Sequence, residues 1–411
     1  MKKYLFLLAA SLTVLGACNK LETAKSVKVE LQFNTPSSSS VPAPSSYAVK
    51  FMNEEGVCTF DETVNVTNGS AFVEDIVPGI YNISVYAEST NEGKPYSFIG
   101  NSNSCAITSN NQKVNIEVTI CEASPLVIKE LYYSLGANCE SNTNYRDDNF
   151  WEIYNNSPVD QVLDGLCIAD LAPTTISQSI YNWPLDKTKY VFCLTIWQFP
   201  GTGADYVLKP GESAVVAAVA IDHTQITTKT VDLSKADFET FIDNGQVLLP
   251  DNPKVPNMKL LFGSFGTGRE RYNIGAMGPA VVLFKPQGAI DNSTSVSAEG
   301  KTELAKEIPV EWVIDGIEAV QTEKEIPYKR MPESIDAGAT HVNYTEVEIF
   351  PGYNMVQSTH NGESVYRKVN GEAGGITIYQ DTNNSTNDFE IGTPAVVRRG
   401  GAGVPSWSPA K

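Results

Sequence analysis

Apolar and polar residues alternate one for one over residues 26–33, the period of a strand with one face buried and the other in water. Shorter runs of the same kind predict strands over residues 47–52, 63–66, 71–73, 81–87 and 113–120. A Ser/Pro-rich stretch, residues 35–46, breaks the series and predicts a loop, because it has little apolar surface to pack. A second series opens after Pro125, with strands predicted over residues 126–133, 149–157, 161–168 and 208–216. From 221 to about 357 the alternation thins and Pro, Gly and Asn punctuate the chain, leaving a strand pair near 280–284 and 310–314. The best helix candidate lies there, residues 234–242, with Ser234 placed to cap its first turn. The pattern predicts a mainly β chain of two sandwich modules, the second with long insertions carrying one or two short helices.

The N-terminus reads as a processing segment. Lys2 and Lys3 precede an apolar run that ends at Leu15-Gly16-Ala17-Cys18, too short and too early for a spanning helix. This tetrapeptide resembles the lipobox of bacterial lipoproteins, which implies cleavage before Cys18 and acylation of its thiol, for example by palmitate. Each buried acyl methylene contributes roughly 0.8 kcal/mol, so several chains would anchor the protein essentially permanently. Asn19, in place of an Asp, predicts outer-membrane residence, with the body surface-exposed rather than facing the periplasm.

Two motifs carry further resemblances. Gly69-Ser70-Ala71-Phe72-Val73 running to Pro78-Gly79-Ile80-Tyr81-Asn82-Ile83-Ser84-Val85 is similar to a stretch of carboxypeptidase-regulatory-like and prealbumin-like sandwiches. Pro78-Gly79 is expected to form a tight turn in which Gly79 is free to take positive φ. Leu126-Val127-Ile128-Lys129-Glu130-Leu131-Tyr132, then Phe150-Trp151-Glu152-Ile153-Tyr154-Asn155, then Leu208-Lys209-Pro210-Gly211-Glu212 resemble the lamin-tail domain, which implies an immunoglobulin-like sandwich. The span is much longer than such a domain needs, so large insertions are expected, and binding surfaces tend to be built on such excursions. The expected organisation is a signal peptide (1–17), a tether (18–25), a first sandwich (26–122), a second sandwich (124–398, insertion about 221–357) and a C-terminal tail (399–411). As a whole the chain resembles a Bacteroidota family of outer-membrane lipoproteins, a domain of unknown function often found beside TonB-dependent receptors.

Charge narrows the function. The 411 residues hold 48 Asp plus Glu against 30 Lys plus Arg, a net −18, which excludes a nucleic-acid binder that must neutralise phosphates. Three histidines, His223, His341 and His360, lie far apart, and no H-E-x-x-H or G-x-S-x-G motif occurs, so no enzyme is predicted. Of seven cysteines, Cys18 belongs to the lipobox. Cys58, Cys105, Cys121, Cys139, Cys167 and Cys193 can pair as disulfides or stay as buried apolar thiols.

Asp381, Asn383, Ser385 and Asp388 present short oxygen side chains on one loop, a pattern that fits Ca²⁺ ligation or an Asn-rich turn. Arg269 and Arg271 follow a glycine-rich run that could form an anion-binding nest. Trp183, Trp197 and Phe199, flanked by loop-forming Pro and Gly, are either local core or contacts for a partner. The expectation is a non-catalytic, lipid-anchored binding protein, accessory to a TonB-dependent receptor and presenting a small nutrient or glycan. The alternative is a structural or adhesive surface lipoprotein.

Overall fold

The computed structural model describes residues 25–36, 41–53, 57–91, 94–121, 124–135, 145–176, 180–242, 251–264, 272, 274–291, 293–348, 355–373 and 375–411. Seven strands build the first module: β1 (Val27–Asn34), β2 (Ser46–Asn53), β3 (Cys58–Asn65), β4 (Ser70–Ile76), β5 (Gly79–Asn91), β6 (Lys94–Ile107) and β7 (Gln112–Cys121). They form one sheet in the order β3-β2-β5-β6-β7-β1-β4, with β1 antiparallel to β4 and parallel to β7. Alternation decides which side chains go inside. Val29, Leu31 and Phe33 of β1 meet Tyr47, Val49 and Phe51 of β2 and Tyr81, Ile83 and Val85 of β5 in one apolar core. Each such side chain contributes about 1.5–3 kcal/mol by leaving water. The turn before β5 differs from expectation in detail. Asp75, not Gly79, takes the left-handed conformation (φ 60), and the Tyr81 hydroxyl donates to the Val77 carbonyl at 2.6 Å. Gly79 serves close packing, since a Cβ there would lie 3.3 Å from the Tyr81 ring.

The second module opens with β8 (Leu126–Tyr132), β9 (Phe150–Asn155), β10 (Gln161–Val162), β11 (Cys167–Leu171) and β12 (Tyr190–Gln198). There follow β13 (Val207–Leu208), β14 (Ser213–Ala217), β15 (Phe238–Glu239), β16 (Lys259–Gly263), β17 (Ala280–Phe284), β18 (Lys306–Pro309) and β19 (Val313–Glu318). The last are β20 (Thr345–Glu348), β21 (Met355–Ser358), β22 (Ser364–Arg367), β23 (Val369–Ala373), β24 (Ile376–Tyr379) and β25 (Phe389–Gly392). One sheet runs β15-β14-β9-β8-β22-β25; the other runs β16-β12-β11-β17-β19, with β18 also on β12. Between them Ile128, Trp151, Ile153, Ile168, Trp197, Val216, Leu283 and Val365 make the central core.

The stretch expected as an insertion, about 221–357, supplies β16, β17, β18 and β19 to the second sheet, and its remaining segments clad the outer faces of the sandwich. Ala220, Val231, Leu233 and Ala236 cover Tyr132, Phe150, Val215 and Ala217 on the first sheet. Ile308, Met331 and Ile335 cover Cys167, Ala169 and Val282 on the second. Covered on both sides, β8, β9, β14 and β17 are buried along their whole length; β14 and β17 are near-continuously apolar, whereas β8 and β9 bury the charged Lys129, Glu130 and Glu152 as well.

The predicted helix over 234–242 is a turn followed by β15, parallel to β14. Phe238 is drawn into an aromatic cluster with Phe199, Tyr206 and Trp407, while Asp237 accepts the Val215 N–H at 2.7 Å. Edge pairing therefore overrides helix propensity. Among the described residues the short helices lie elsewhere: 3₁₀ turns at His223–Gln225, Val310–Trp312, Glu323–Tyr328 and Arg399–Gly401, and an α-turn, α1 (Ser385–Asp388). Residues 399–411, expected as a tail, pack on the sandwich, with Gly403 bridged to Glu212 and Trp407 donating to the Val207 carbonyl at 2.8 Å. Cys58, Cys105, Cys167 and Cys193 are free thiols, while Cys139 and the Cys121 side chain lie outside the described residues. The modules meet where Tyr86 and Ile99 pack on Ile378, Val159 and Ile376.

Candidate functional site

The loop suspected of holding calcium is a closed turn organised around an arginine. Arg367, buried at the end of β22, places Nη2 2.5 Å from Asp315 and Nη1 3.4 Å from Asp381 and 3.6 Å from Asp388. Its guanidinium also lies 4.6 Å from the Phe389 ring centroid. Asp388 further accepts Thr382 N–H at 2.8 Å and Thr382 Oγ1–H at 2.8 Å, and Asn384 caps α1 through Thr386 and Asn387. Ser385 points away, its hydroxyl donating to Asp336 at 2.5 Å, and Asn383 takes a left-handed φ of 51. The four predicted ligands therefore do not converge, and two of them already face a cation of the chain's own. The calcium reading does not fit these residues. Among the described residues no cluster of three or more His, Cys, Asp and Glu has a metal-holding arrangement.

Burial shapes the charges around this arginine. It pushes the Asp315 carboxyl up to about 7 against the pull of Arg367, and that of Asp336 up to about 6 against its Ser385 hydrogen bonds. Arg367 itself is disfavoured by burial yet held firmly charged by Asp315, Asp381 and Asp388.

The glutamates of the two strand motifs are sealed in the same way. Glu152 binds Lys129 at 2.9 Å, and Glu130 takes Arg399 at 3.0 Å and the Ser364 hydroxyl at 2.5 Å. Arg398 reaches Asp237 at 2.5 Å. Opposite, Glu318 receives Arg330 Nε at 2.8 Å, and the guanidinium is completed by the carbonyls of Pro173, Gly278 and Ala319. Burial raises the carboxyls of Glu130 and Asp237 despite their arginines. These groups staple the C-terminal segment and the insertion to the sheets.

Sequence reading missed one cluster. His223 and His360 are brought together by Tyr145 and Asp148 at one end of the sandwich, through contacts that span 78 residues for Tyr145 and His223 alone. Asp147 and Asp148 directly precede β9, and no local spacing points from them to His223 or His360.

The aromatic candidates divide. Trp197 is fully buried and Phe199 is 1% exposed, so both belong to the core and cannot meet a partner. Trp197 ends β12 opposite Ile168 and packs on Tyr272, which stacks on Trp151 at 5.7 Å. Trp183 is half-buried, stacked on Phe192 at 4.1 Å, and belongs to a surface ledge. There Tyr181 carries Lys301 Nζ 4.8 Å from its ring centroid, and Asn182 accepts the Glu299 N–H at 2.8 Å. Ile180 (66%), Leu304 (45%) and Leu185 (37%) expose apolar surface around it. Cys18, Arg269 and Arg271 lie outside the described residues.

Two concavities flank the module junction. One, about 490 Å³, is lined by Pro44, Ser46, Tyr86, Glu88 and Ser89; the other, about 240 Å³, by Tyr154, Gly211, Ile376, Tyr379 and Gly401. Neither lining gathers an acid, a base and a nucleophile.

Fold and site together define a class: mainly β proteins built of sandwich modules, with buried ion pairs as structural staples. A model of the family described as "Protein of unknown function (DUF4876)" matches residues 209–396. A crystal structure of a DUF4876 family protein from Bacteroides thetaiotaomicron VPI-5482 is 30% identical, covering 94% of this chain and 100% of that one, with a TM-score of 0.68. This chain belongs to the DUF4876 family. A Bacteroides eggerthii DSM 20697 structure, a "putative cell adhesion protein", is 8% identical over 90% of this chain and 94% of that one. Its TM-score of 0.18 carries no argument. No curated protein sequence matches.

Proposed function

We propose that this protein is a non-catalytic, lipid-anchored binding protein of the outer membrane, attached through Cys18 and accessory to a TonB-dependent receptor. It would help present a small nutrient or glycan. The observation that carries this reading is the division between inside and outside. The strongly perturbed carboxyls (Asp315, Asp336, Glu239) are sealed by hydrogen bonds and ion pairs, whereas Ile180, Leu185 and Leu304 are exposed to solvent around a half-buried Tyr181. Sealed acids hold a fold together, and exposed apolar and aromatic side chains recognise. The prealbumin-like and lamin-tail-like identities of the modules belong to the same proposal. Affinity purification from membranes tests it. The expected result is enrichment of a barrel receptor by the wild type and loss of that enrichment in Tyr181→Ala/Leu185→Ser, with an unchanged melting temperature. Enrichment that survives the ledge substitutions would reject the ledge as the contact.

A structural or adhesive role is favoured by a different observation. Phe72, Val77 and Ile80 are 50%, 52% and 41% exposed along the edge strand β4, the turn after it and the start of β5. An apolar edge of that kind suits stacking against another chain. Loss of cell attachment in Phe72→Ser, with receptor capture intact, would support this second role.

A further inference from the structure

We infer that Tyr145, Asp148, His223 and His360 form an acid-sensitive latch that holds residues 219–236 over the outer face of the β14-β9-β8 sheet. His223 is fully buried. Its Nε2 lies 2.9 Å from the Val219 carbonyl, to which Nε2–H donates, leaving Nδ1 to accept the Tyr145 hydroxyl. The backbone of Tyr145 also hydrogen-bonds the His360 ring, so one residue ties both imidazoles. Asp148 acts on both as well, and it accepts Tyr132 Oη–H at 2.9 Å and Thr230 Oγ1–H at 2.5 Å. Three excursions are thereby joined: the approach to β9, the start of the insertion, and the turn before β22.

Among the described residues, the charged groups facing His223 are Asp147 and Asp148 from the β9 approach and Asp222 beside it. Those facing His360 are Asp148 and Arg146. Lys229 offers its carbonyl to Tyr132 and keeps its side chain in water, and Glu239 holds the Ala220 N–H at 3.0 Å beneath the segment. Burial depresses both imidazoles below their ordinary 6.5, while the carboxylates pull the other way. The sign follows: the unfolded or opened segment binds these protons first, so the closed state loses stability as pH falls below 6.5. Opening would uncover the apolar strip of Tyr132, Phe150, Val215 and Ala217.

Hydrogen exchange of the full chain tests the latch. Protection factors corrected for intrinsic rate should fall for residues 219–233 as pH drops below 6.5, by up to about tenfold per pH unit for each imidazole that is protonated in the opened segment while still neutral in the closed one. His223→Gln/His360→Asn should flatten that dependence, and Tyr145→Phe, a milder change, should move opening to higher pH. With only three histidines in the chain, imidazole NMR gives a second readout, and His223 should titrate below 6.5. Protection that stays constant from pH 7.5 to 5, or a His223 midpoint at or above 6.5, would overturn the inference.

Discussion

The two modules handle charge differently. In the first, the interior is apolar, and the ion pairs Lys28–Glu74, Lys50–Asp61 and Lys113–Glu30 lie on the outside of the sheet. In the second, Lys129–Glu152, Arg330–Glu318 and the Arg367 cluster are buried with side-chain exposures of 2% or less. Exposed pairs of the first kind contribute about 0–1 kcal/mol. Buried pairs give little net stability over an apolar core but penalise any arrangement that separates them. The difference matches the architecture: a sheet wet on one side needs only alternation. A sandwich clad on both faces must also fix where the cladding goes, and its buried pairs join the insertion and the C-terminal segment to the strands.

The contrast can be broken one module at a time. All five tryptophans lie in the second module, so their fluorescence follows it alone. Arg367→Ala leaves three buried carboxylates facing one another and should cost about 3–5 kcal/mol, seen as an early fluorescence transition in urea. Ile83→Ala, in the first core, should cost about 3 kcal/mol in a transition seen by far-ultraviolet circular dichroism and leave the tryptophan midpoint in place. Arg399→Ala removes one charged partner of Glu130 and should cost about 2 kcal/mol, since Ser364 and the Val396 N–H remain.

The pH dependence sharpens the comparison. Burial holds Asp315 and Glu239 near 7 and Asp336 near 6, whereas unfolded carboxyls titrate near 4. In the folded state these groups keep protons that the unfolded chain has released. They therefore cost the second module stability progressively as pH rises from about 4 to about 7, and the full cost stands above that. Glu239→Gln should accordingly reduce the loss of its melting temperature between about pH 5 and 7. Tyr181→Ala, on the ledge, should change stability by no more than about 0.5 kcal/mol.

What the sequence displays follows the same division. The strands of the first module, the sandwich motifs around Glu130 and Glu152, and the mainly β class are legible because they rest on neighbours two residues apart. Arg367 and Asp315 are 52 residues apart, and Arg399 and Glu130 are 269 apart, so no local period announces them. The helix expected at 234–242 fails for a related reason, since Phe238 and Asp237 answer to β14 and to Arg398 rather than to their own turn. Trp197 was ambiguous because Pro200 and Gly201 follow it closely, yet it closes a central strand. Of the recognition candidates, Trp183 lies in the surface ledge, where tertiary packing gathers Phe192, Ala305 and Val296 around it and sets Lys301 over Tyr181.

The account turns on a ledge that recognises while the charged interior only holds. The most direct measurement is a photo-crosslinker placed at Tyr181 in living cells, with the adduct identified by mass spectrometry and a probe at Asp232 as the control. The account predicts a barrel-receptor adduct from Tyr181 and none from Asp232. Equal adducts from both positions, or none from Tyr181 while the protein still co-purifies with the receptor, would contradict it.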